Sequence, residues 1–386
     1  MTQDGGSHVR DVIVAGTGMT SFGKRAPGTG REVGRQAGVA ALEAAGCTYA
    51  DVDAFYGGSA LPNSPRAVYI ARELGLTGVP IHHVTNASAS GLAALHEAWV
   101  AIAAGLHDIV LVVGYDLPDS ADGAESAIAA QGFAPPISLF SMWANRRAHD
   151  VGTTPQHLAM VAAKNWNYAR TNPHAVRQAS ETVTVEQVLS SRMIADPITS
   201  MMCTPWGDGA AAAVLASPEA FSRMNAKGAT ARISASVANS ELYEDHLILE
   251  GAIVGSASLA GAGARAALDR AAIGPRDLDV VQVHDAFAVE ELVYLEQLGL
   301  TVPGETEELL ERGAFGPGSK SRFGLAEVST DGGLIARGHA SGGTGLAQVH
   351  ETLRRFEHHD DRVGLTQLVG VGGVCYTQVF TRMERN

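Results

Sequence analysis

Val84-Thr85-Asn86-Ala87-Ser88-Ala89-Ser90-Gly91-Leu92-Ala93-Ala94-Leu95-His96-Glu97 reads as a strand end, a tight turn of small residues, and the opening of an alanine-rich helix. Asn86, Ser88 and Ser90 are residue types that cap helix starts, and the residues after Gly91 are good helix formers. A helix start leaves unpaired backbone N–H groups and a partial positive charge, which suits an oxyanion or a nucleophile on the turn. This turn offers only serines and alanines. Taken alone it reads as a capped, buried helix, with Ser88 as one of the caps.

A second copy changes the weight of that reading. Residues 90–97 correspond to Thr344-Gly345-Leu346-Ala347-Gln348-Val349-His350-Glu351. Ala41-Leu42-Glu43-Ala44-Ala45, followed by Asp51-Val52-Asp53, likewise corresponds to Ala267-Leu268-Asp269-Arg270-Ala271, followed by Asp277-Leu278-Asp279. Both matches fall in the same order, so the chain is read as a duplication of helix–strand, glycine turn–helix and buried strand. Paired halves bring equivalent helix starts to a common pseudo-two-fold axis, where they make a strong oxyanion environment.

The rest of the chain fits two such halves, residues 1–225 and 226–386. Buried strands are expected at 11–16, 108–114, 210–215 and 365–369, from continuous apolar or β-branched runs, and further strands at 52–56, 232–237 and 279–283. Helices are expected at 31–45, 260–272 and 290–298. The pattern loosens at 117–182, where Pro135-Pro136, Trp143, Trp166 and polar helical stretches suggest an excursion from the sheet, an inserted loop domain that covers a ligand. Residues 302–330 lack strong periodicity and read as a loop region. Gly16-Thr17-Gly18 lacks the third glycine of a dinucleotide fingerprint and does not open a helix.

The 386 residues carry a formal net charge of −13 with no basic stripe, which argues against nucleic acid or an anionic membrane as partner. No apolar run is of bilayer length and the polar N-terminus lacks a signal-peptide pattern, so a cytoplasmic location without membrane insertion is expected. Cys47, Cys203 and Cys375 are too few and scattered for a disulfide framework or a zinc site. His82-His83 and His358-His359 lack a carboxylate cluster at ligand spacing, so no metal is expected.

Four motifs occur in a fixed order. They are the opening strand at 11–23; Gly207-Asp208-Gly209-Ala210-Ala211-Ala212; Val283-His284-Asp285-Ala286-Phe287; and Asp331-Gly332-Gly333-Leu334 running into Gly338-His339-Ala340-Ser341-Gly342-Gly343-Thr344-Gly345. Along nearly the whole chain this arrangement resembles the thiolase superfamily, and within it the sterol-carrier or lipid-transfer type. The resemblance implies an α/β duplicated thiolase fold, layered α-β-α-β-α, with two mixed sheets and the inserted loop domain. It also implies a homodimer paired through the sheet edge of the first half.

The departures decide the chemistry. The family's nucleophilic cysteine is matched by Ser88. Its second cysteine, in Cys-x-Gly-Gly-Gly, is matched by Val369 or Gly370 when its glycines are set on Gly372 and Gly373, the expected turn and oxyanion positions. Cys375 lies beyond that turn and reads as buried structure. Ala340 replaces the proline of the GHP motif. A serine needs a strong adjacent base where a thiol does not, so ordinary thiolysis is disfavoured.

His284 and His339 match the histidines that polarise a thioester oxygen and stabilise an enolate. An enolate site without a nucleophile suits a retro-aldolase that splits a β-hydroxyacyl-CoA, from a steroid or other lipid, into a ketone or aldehyde and a short acyl-CoA. Thiolase-like steroid side-chain aldolases resemble this pattern and imply an OB-fold, zinc-ribbon partner of the DUF35 type. No cofactor is expected beyond the coenzyme A thioester as substrate. Tyr294 is the first candidate acid or base, although ten residues of helix would carry it ~15 Å from His284. Tyr115 and Tyr376 are alternatives, and Asp285 is expected to orient His284 or cap the following helix. Two other readings stand: an acyltransferase using Ser88 or a partner-borne acyl group, and a non-catalytic lipid-binding scaffold.

Overall fold

A computed structural model describes residues 9–23, 30–61, 64–117, 136–205, 207–242 and 257–384. The strands are β1 (Ile13–Met19), β2 (Ala54–Gly58), β3 (Ile81–Val84), β4 (Ile109–Asp116), β5 (Met193–Ala195), β6 (Ile198–Thr199), β7 (Gly209–Ala216), β8 (Ala231–Ser240), β9 (Val280–Gln282), β10 (Glu327–Val328), β11 (Val363–Gly370) and β12 (Val374–Arg382). Apart from the small β5–β6 pair, they follow one sheet order, β3-β2-β4-β7-β1-β8-β12-β11-β9-β10.

That order is the same five-strand pattern written forwards and then backwards. Parallel pairing of β2 with β3 and β4 is matched by parallel pairing of β9 with β10 and β11. Antiparallel β4–β7 and β7–β1 are matched by β11–β12 and β12–β8. The two expected sheets are continuous at a single seam, where Ile13 faces Arg232 and Val14 faces Ala231.

Helices Ser90–Ala103 and Ser341–His358 fill the space between the two half-sheets. Leu92, Leu95, Leu346, Val349 and Phe356 pack there against Val110, Leu215, Ile233, Leu368 and Phe380. Helices Gly30–Ala45 and Ala67–Leu74 cover the outer face of the first half. Helices Ala257–Ala271 and Ala288–Gln297 cover that of the second. Strands buried on both faces read as near-continuous apolar runs, and 209–216 has no polar residue.

The repeated helix starts meet at the centre, backbone against backbone. A Cβ added to Gly91 would lie 2.3 Å from the Gly342 carbonyl oxygen, and one added to Gly342 would lie 2.5 Å from that of Tyr115. Only glycine permits this approach. The two starts are not both open to an oxyanion, however. The Gly342 N–H donates to the Asp116 carboxylate at 2.6 Å, and the Ser59 and Ser64 hydroxyls donate to the same buried group.

The inserted region holds the expected helical stretches, but they are packed into the core, and the segment expected to be a loop at 302–330 is partly helical. Residues 118–135 of the inserted region lie outside the described residues, but 136–169 form helices Pro136–Val151 and Pro155–Ala169. Their apolar residues, including Phe140, Leu158 and Val161, pack into the core of the second half. Arg147 adds buried ion pairs to Glu296 and Glu307. Burial on more than one side blurs the single amphipathic stripe that marks a surface helix. Residues 302–330 hold helices Glu305–Glu311 and Ser319–Phe323, which open on left-handed Gly304 and Gly318 instead of a Ser, Thr or Asp cap.

Candidate active site

Ser88 sits on a sharp turn. Ala87 before it is left-handed, with φ +47°, and the Ser90 hydroxyl locks the turn by accepting from the Asn86 N–H (2.8 Å) and donating to the Ala87 carbonyl (2.6 Å). Ala89 is the helix N-cap and no side chain caps it. The expected capping role of Ser88 is therefore incorrect. Its hydroxyl crosses to the other half of the molecule and lies 3.1 Å from His339 Nε2.

His339 is held from behind. Its Nδ1 is 2.7 Å from the Thr344 hydroxyl, which donates its own proton to the Ala340 carbonyl at 2.9 Å. Thr344 can only accept from the ring, so Nδ1 carries the hydrogen and Nε2 is left with a lone pair facing Ser88. Burial, His284 and Arg337 together hold His339 well below the ordinary histidine range, which keeps the ring neutral. Ser88 then donates to a bare Nε2.

The loop carrying His339 is fastened by the inserted region and by Thr204 beyond it. The Val176 and Arg177 N–H groups donate to the Arg337 and Ala336 carbonyls, the Arg177 side chain to the Ile335 carbonyl, and Thr204 to Leu334. Gly338 is left-handed, at φ +110°, and a Cβ there would meet Val176 at 2.7 Å. The region read as a ligand cover thus also holds the backbone of a site histidine.

His284 lies beside His339, with ring centroids 5.5 Å apart and planes at 82°. Its Nδ1 is 2.8 Å from Glu290 Oε1, and its buried Nε2 has no partner among the described residues. Glu290 is 1% exposed and also accepts from the Phe287 N–H at 2.9 Å, which closes the start of helix Ala288–Gln297. The sequence reading missed Glu290. The available signal was a Glu three residues after a turn residue at a helix start, the spacing of a capping box. Asp285 does neither of the tasks expected of it. It turns away to accept from Asn165 at 2.7 Å and from the Leu334 N–H at 2.8 Å.

The tyrosines are placed as follows. Helix Ala288–Gln297 begins four residues after His284, so Tyr294 stands one turn beyond Glu290 and not ~15 Å away. Its hydroxyl donates to Glu290 Oε1 at 3.4 Å, behind the carboxylate and 2% exposed. Burial and the nearby Glu290 push its phenol well up. Tyr115 is tied to the Pro65 carbonyl at 2.6 Å. Tyr376 accepts from the Asn86 side chain at 2.9 Å and so braces the Ser88 turn.

At the β11–β12 turn, Gly372 and Gly373 are left-handed, at φ +96° and +78°. Gly372 is exposed at the tip, and the Gly373 N–H is taken by the Gly370 carbonyl at 3.2 Å. They shape the turn, and Gly373 presents no free donor. A Cβ on Gly370 would lie 2.7 Å from the Asn86 carbonyl oxygen and 3.4 Å from Ala89 Cβ. The space a second cysteine would occupy is filled by the Ser88 turn. Cys375 is fully buried, and burial pushes its thiol up to about 12. Among the described residues no group of three or more His, Cys, Asp or Glu is placed to hold a metal, and no helix is long and apolar enough to cross a membrane.

A duplicated α/β fold brings Ser88 from one half and His284 and His339 from the other together at one place. The descriptions "Thiolase, N-terminal domain" and "Thiolase C-terminal domain-like" match residues 12–132 and 249–380. An acetyl-CoA acetyltransferase of Methanothermobacter thermautotrophicus is 33% identical along 97% of this chain and 100% of its own. Sterol carrier protein 2 of Bos taurus is 31% identical along 96% of this chain and 72% of its own. Among solved structures, the Ltp2-ChsH2(DUF35) aldolase superposes with a TM-score of 0.82 at 21% identity, covering 98% of this chain and 100% of that one. The chain belongs to the thiolase family.

Proposed function

We propose that this thiolase-family protein cleaves the Cα–Cβ bond of a β-hydroxyacyl-CoA by retro-aldol chemistry, releasing a ketone or aldehyde and a shorter acyl-CoA. The observation that carries the reading is the pairing of two buried histidines with a Gly370 position closed to a side chain. Thiolysis draws on two thiols, and neither position has one. Retro-aldol cleavage needs a base for the hydroxyl and a donor for the enolate oxygen, with no acyl-enzyme.

His339 Nε2, already bare, accepts the substrate's hydroxyl proton in place of that of Ser88. The C–C electron pair then moves into the thioester to give its enolate, and His284 Nε2 faces the oxygen that becomes negative. A steroid or other lipid side chain is the substrate class that fits an aldolase of this kind. The superposition with the Ltp2-ChsH2(DUF35) aldolase favours a DUF35-type partner for this chain as well. The exposed edge strand β3 favours pairing with a second copy.

The 3.1 Å bond from Ser88 to a bare Nε2 supports a second reading, acyl transfer through Ser88. Mass spectrometry after incubation with acyl-CoA and β-hydroxyacyl-CoA substrates separates the two. Free acyl-CoA plus a carbonyl product, with the protein mass unchanged and Ser88→Ala still active, is the expected result. An acyl adduct that disappears in Ser88→Ala refutes the retro-aldol reading.

A further inference from the structure

The two site histidines differ in what stands behind them. A neutral hydroxyl, that of Thr344, accepts from Nδ1 of His339, whereas a buried carboxylate, that of Glu290, accepts from Nδ1 of His284. A carboxylate is the counter-charge of an imidazolium, and a hydroxyl is not. With Nδ1–H committed to Glu290, Nε2 of His284 can donate only when the ring carries its second proton. That Nε2 is buried and has no hydrogen-bond partner among the described residues.

We infer that Glu290 is a positioning residue that makes His284 the proton donor of the site, delivering a proton from Nε2 to the α-carbon of the acyl-CoA enolate. The assignment rests on the retro-aldol reading for the origin of the enolate, but the proton-transfer step stands apart from it. The proton lost by the substrate hydroxyl goes to His339 Nε2, and His284 Nε2 gives one to carbon. Return of a proton from His339 to His284 closes the cycle with no net change. Paired groups whose surroundings favour opposite protonation states divide the acid and base work.

The groups facing His284 agree with this division. Glu290 and, behind it, Tyr294 come from helix Ala288–Gln297, and His339 faces it across the site. The carboxylate of Asp285 points to Asn165 and Leu334 instead. Three groups face the Glu290 carboxylate: His284, the Phe287 N–H and the Tyr294 hydroxyl. Glu290 sits in the first turn of its helix, where the backbone dipole favours an anion. The double use of one carboxylate, as helix cap and histidine partner, fixes the ring while the cap fixes the carboxylate.

The test is exchange of the α-protons of a short acyl-CoA in D2O, followed by mass spectrometry of the CoA ester, alongside C–C cleavage. Wild-type protein should catalyse exchange. Glu290→Gln, whose amide oxygen still accepts from the Phe287 N–H, should lose about 10²-fold in exchange rate with little change in the KM for the ester. The alkaline limb of its kcat–pH profile should move to lower pH. Glu290→Asp keeps the charge and should recover part of both the rate and the profile, which a purely structural role would not predict. Unchanged exchange and an unchanged profile in Glu290→Gln, or no exchange by the wild type, would overturn the inference. Glu290-dependent exchange without any C–C cleavage would support it while removing the retro-aldol reading.

Discussion

Thr344→Val tests how the base is set. Valine keeps the β-branched shape, so the start of helix Ser341–His358 should form as before. What disappears is the acceptor 2.7 Å from His339 Nδ1. The Ala340 carbonyl loses the Thr344 hydroxyl but retains the Gly343 and Thr344 N–H groups, both at 2.8 Å. The deficit therefore falls on His339, which is 4% exposed and cannot turn to water. A buried N–H left without an acceptor costs about 1–3 kcal/mol. The ring avoids that cost by moving its hydrogen to Nε2, where Ser88 becomes the acceptor. The tautomer that works as a base then lies above the resting one by the same amount, a loss of about 5- to 150-fold in kcat. The assay is steady-state cleavage of a β-hydroxyacyl-CoA by wild type, Thr344→Val and Thr344→Ser, with thermal melts beside it. Serine restores the hydroxyl and should restore the rate. Thr344→Val with a kcat within twofold of wild type would show that the tautomer is not set from Nδ1, and the assignment of His339 as base would go with it.

Further outcomes follow from the same geometry. Gly370→Cys should restore no thiolase activity, even combined with Ser88→Cys, and should lower stability by about 1–3 kcal/mol because its Cβ meets the Asn86 carbonyl; denaturant titration and a thiolysis assay check this. His350 is half-buried against Thr17 and held down to about 3 by desolvation and neighbouring cationic groups, while an unfolded histidine titrates near 6.5. Between those values the unfolded chain binds a proton that the folded one refuses, so stability should fall as pH drops from 6.5 towards 3. Urea midpoints measured across that range should show the slope, and His350→Gln should flatten it. Pro80 and Val84 accept hydrogen bonds from β2, so the Ile81 and His83 backbones of β3 face outwards. Ile81→Pro should then convert a dimer to a monomer in sedimentation, with cleavage products unchanged in identity.

The duplication was legible because repeated glycines and apolar runs answer to backbone contact and burial, which act locally on the chain. Gly91 and Gly345 had to match because the two helices meet through them. The site was harder to read. Ser88, His284 and His339 stood out by type and motif, but their partners were chosen in space. Asp285, next to His284, looked the natural partner, yet the backbone turns it towards Asn165, and Glu290 arrives from the next helical turn. Where helix Ala288–Gln297 begins decided that choice, and with it the place of Tyr294. Thr344 stood in the repeat and in the Gly338–Gly345 motif, but neither showed its task, because that depends on a ring five residues earlier in a loop pinned by Val176 and Arg177.

The seam between the halves has a consequence for how the enzyme comes into being. Ser88 and Asp116 belong to the first half, while His284, Glu290, His339 and Thr344 belong to the second. A ribosome that has released only the first half has made a serine with no base. Histidines folded without their counterpart would have Gly342 lacking its carboxylate cap. Under the proposed function, catalytic power would arrive in one step, when the halves dock, and not by degrees. Chain cleavage within 217–230 would then give a split enzyme whose two fragments are silent apart and report their own reassembly by turnover.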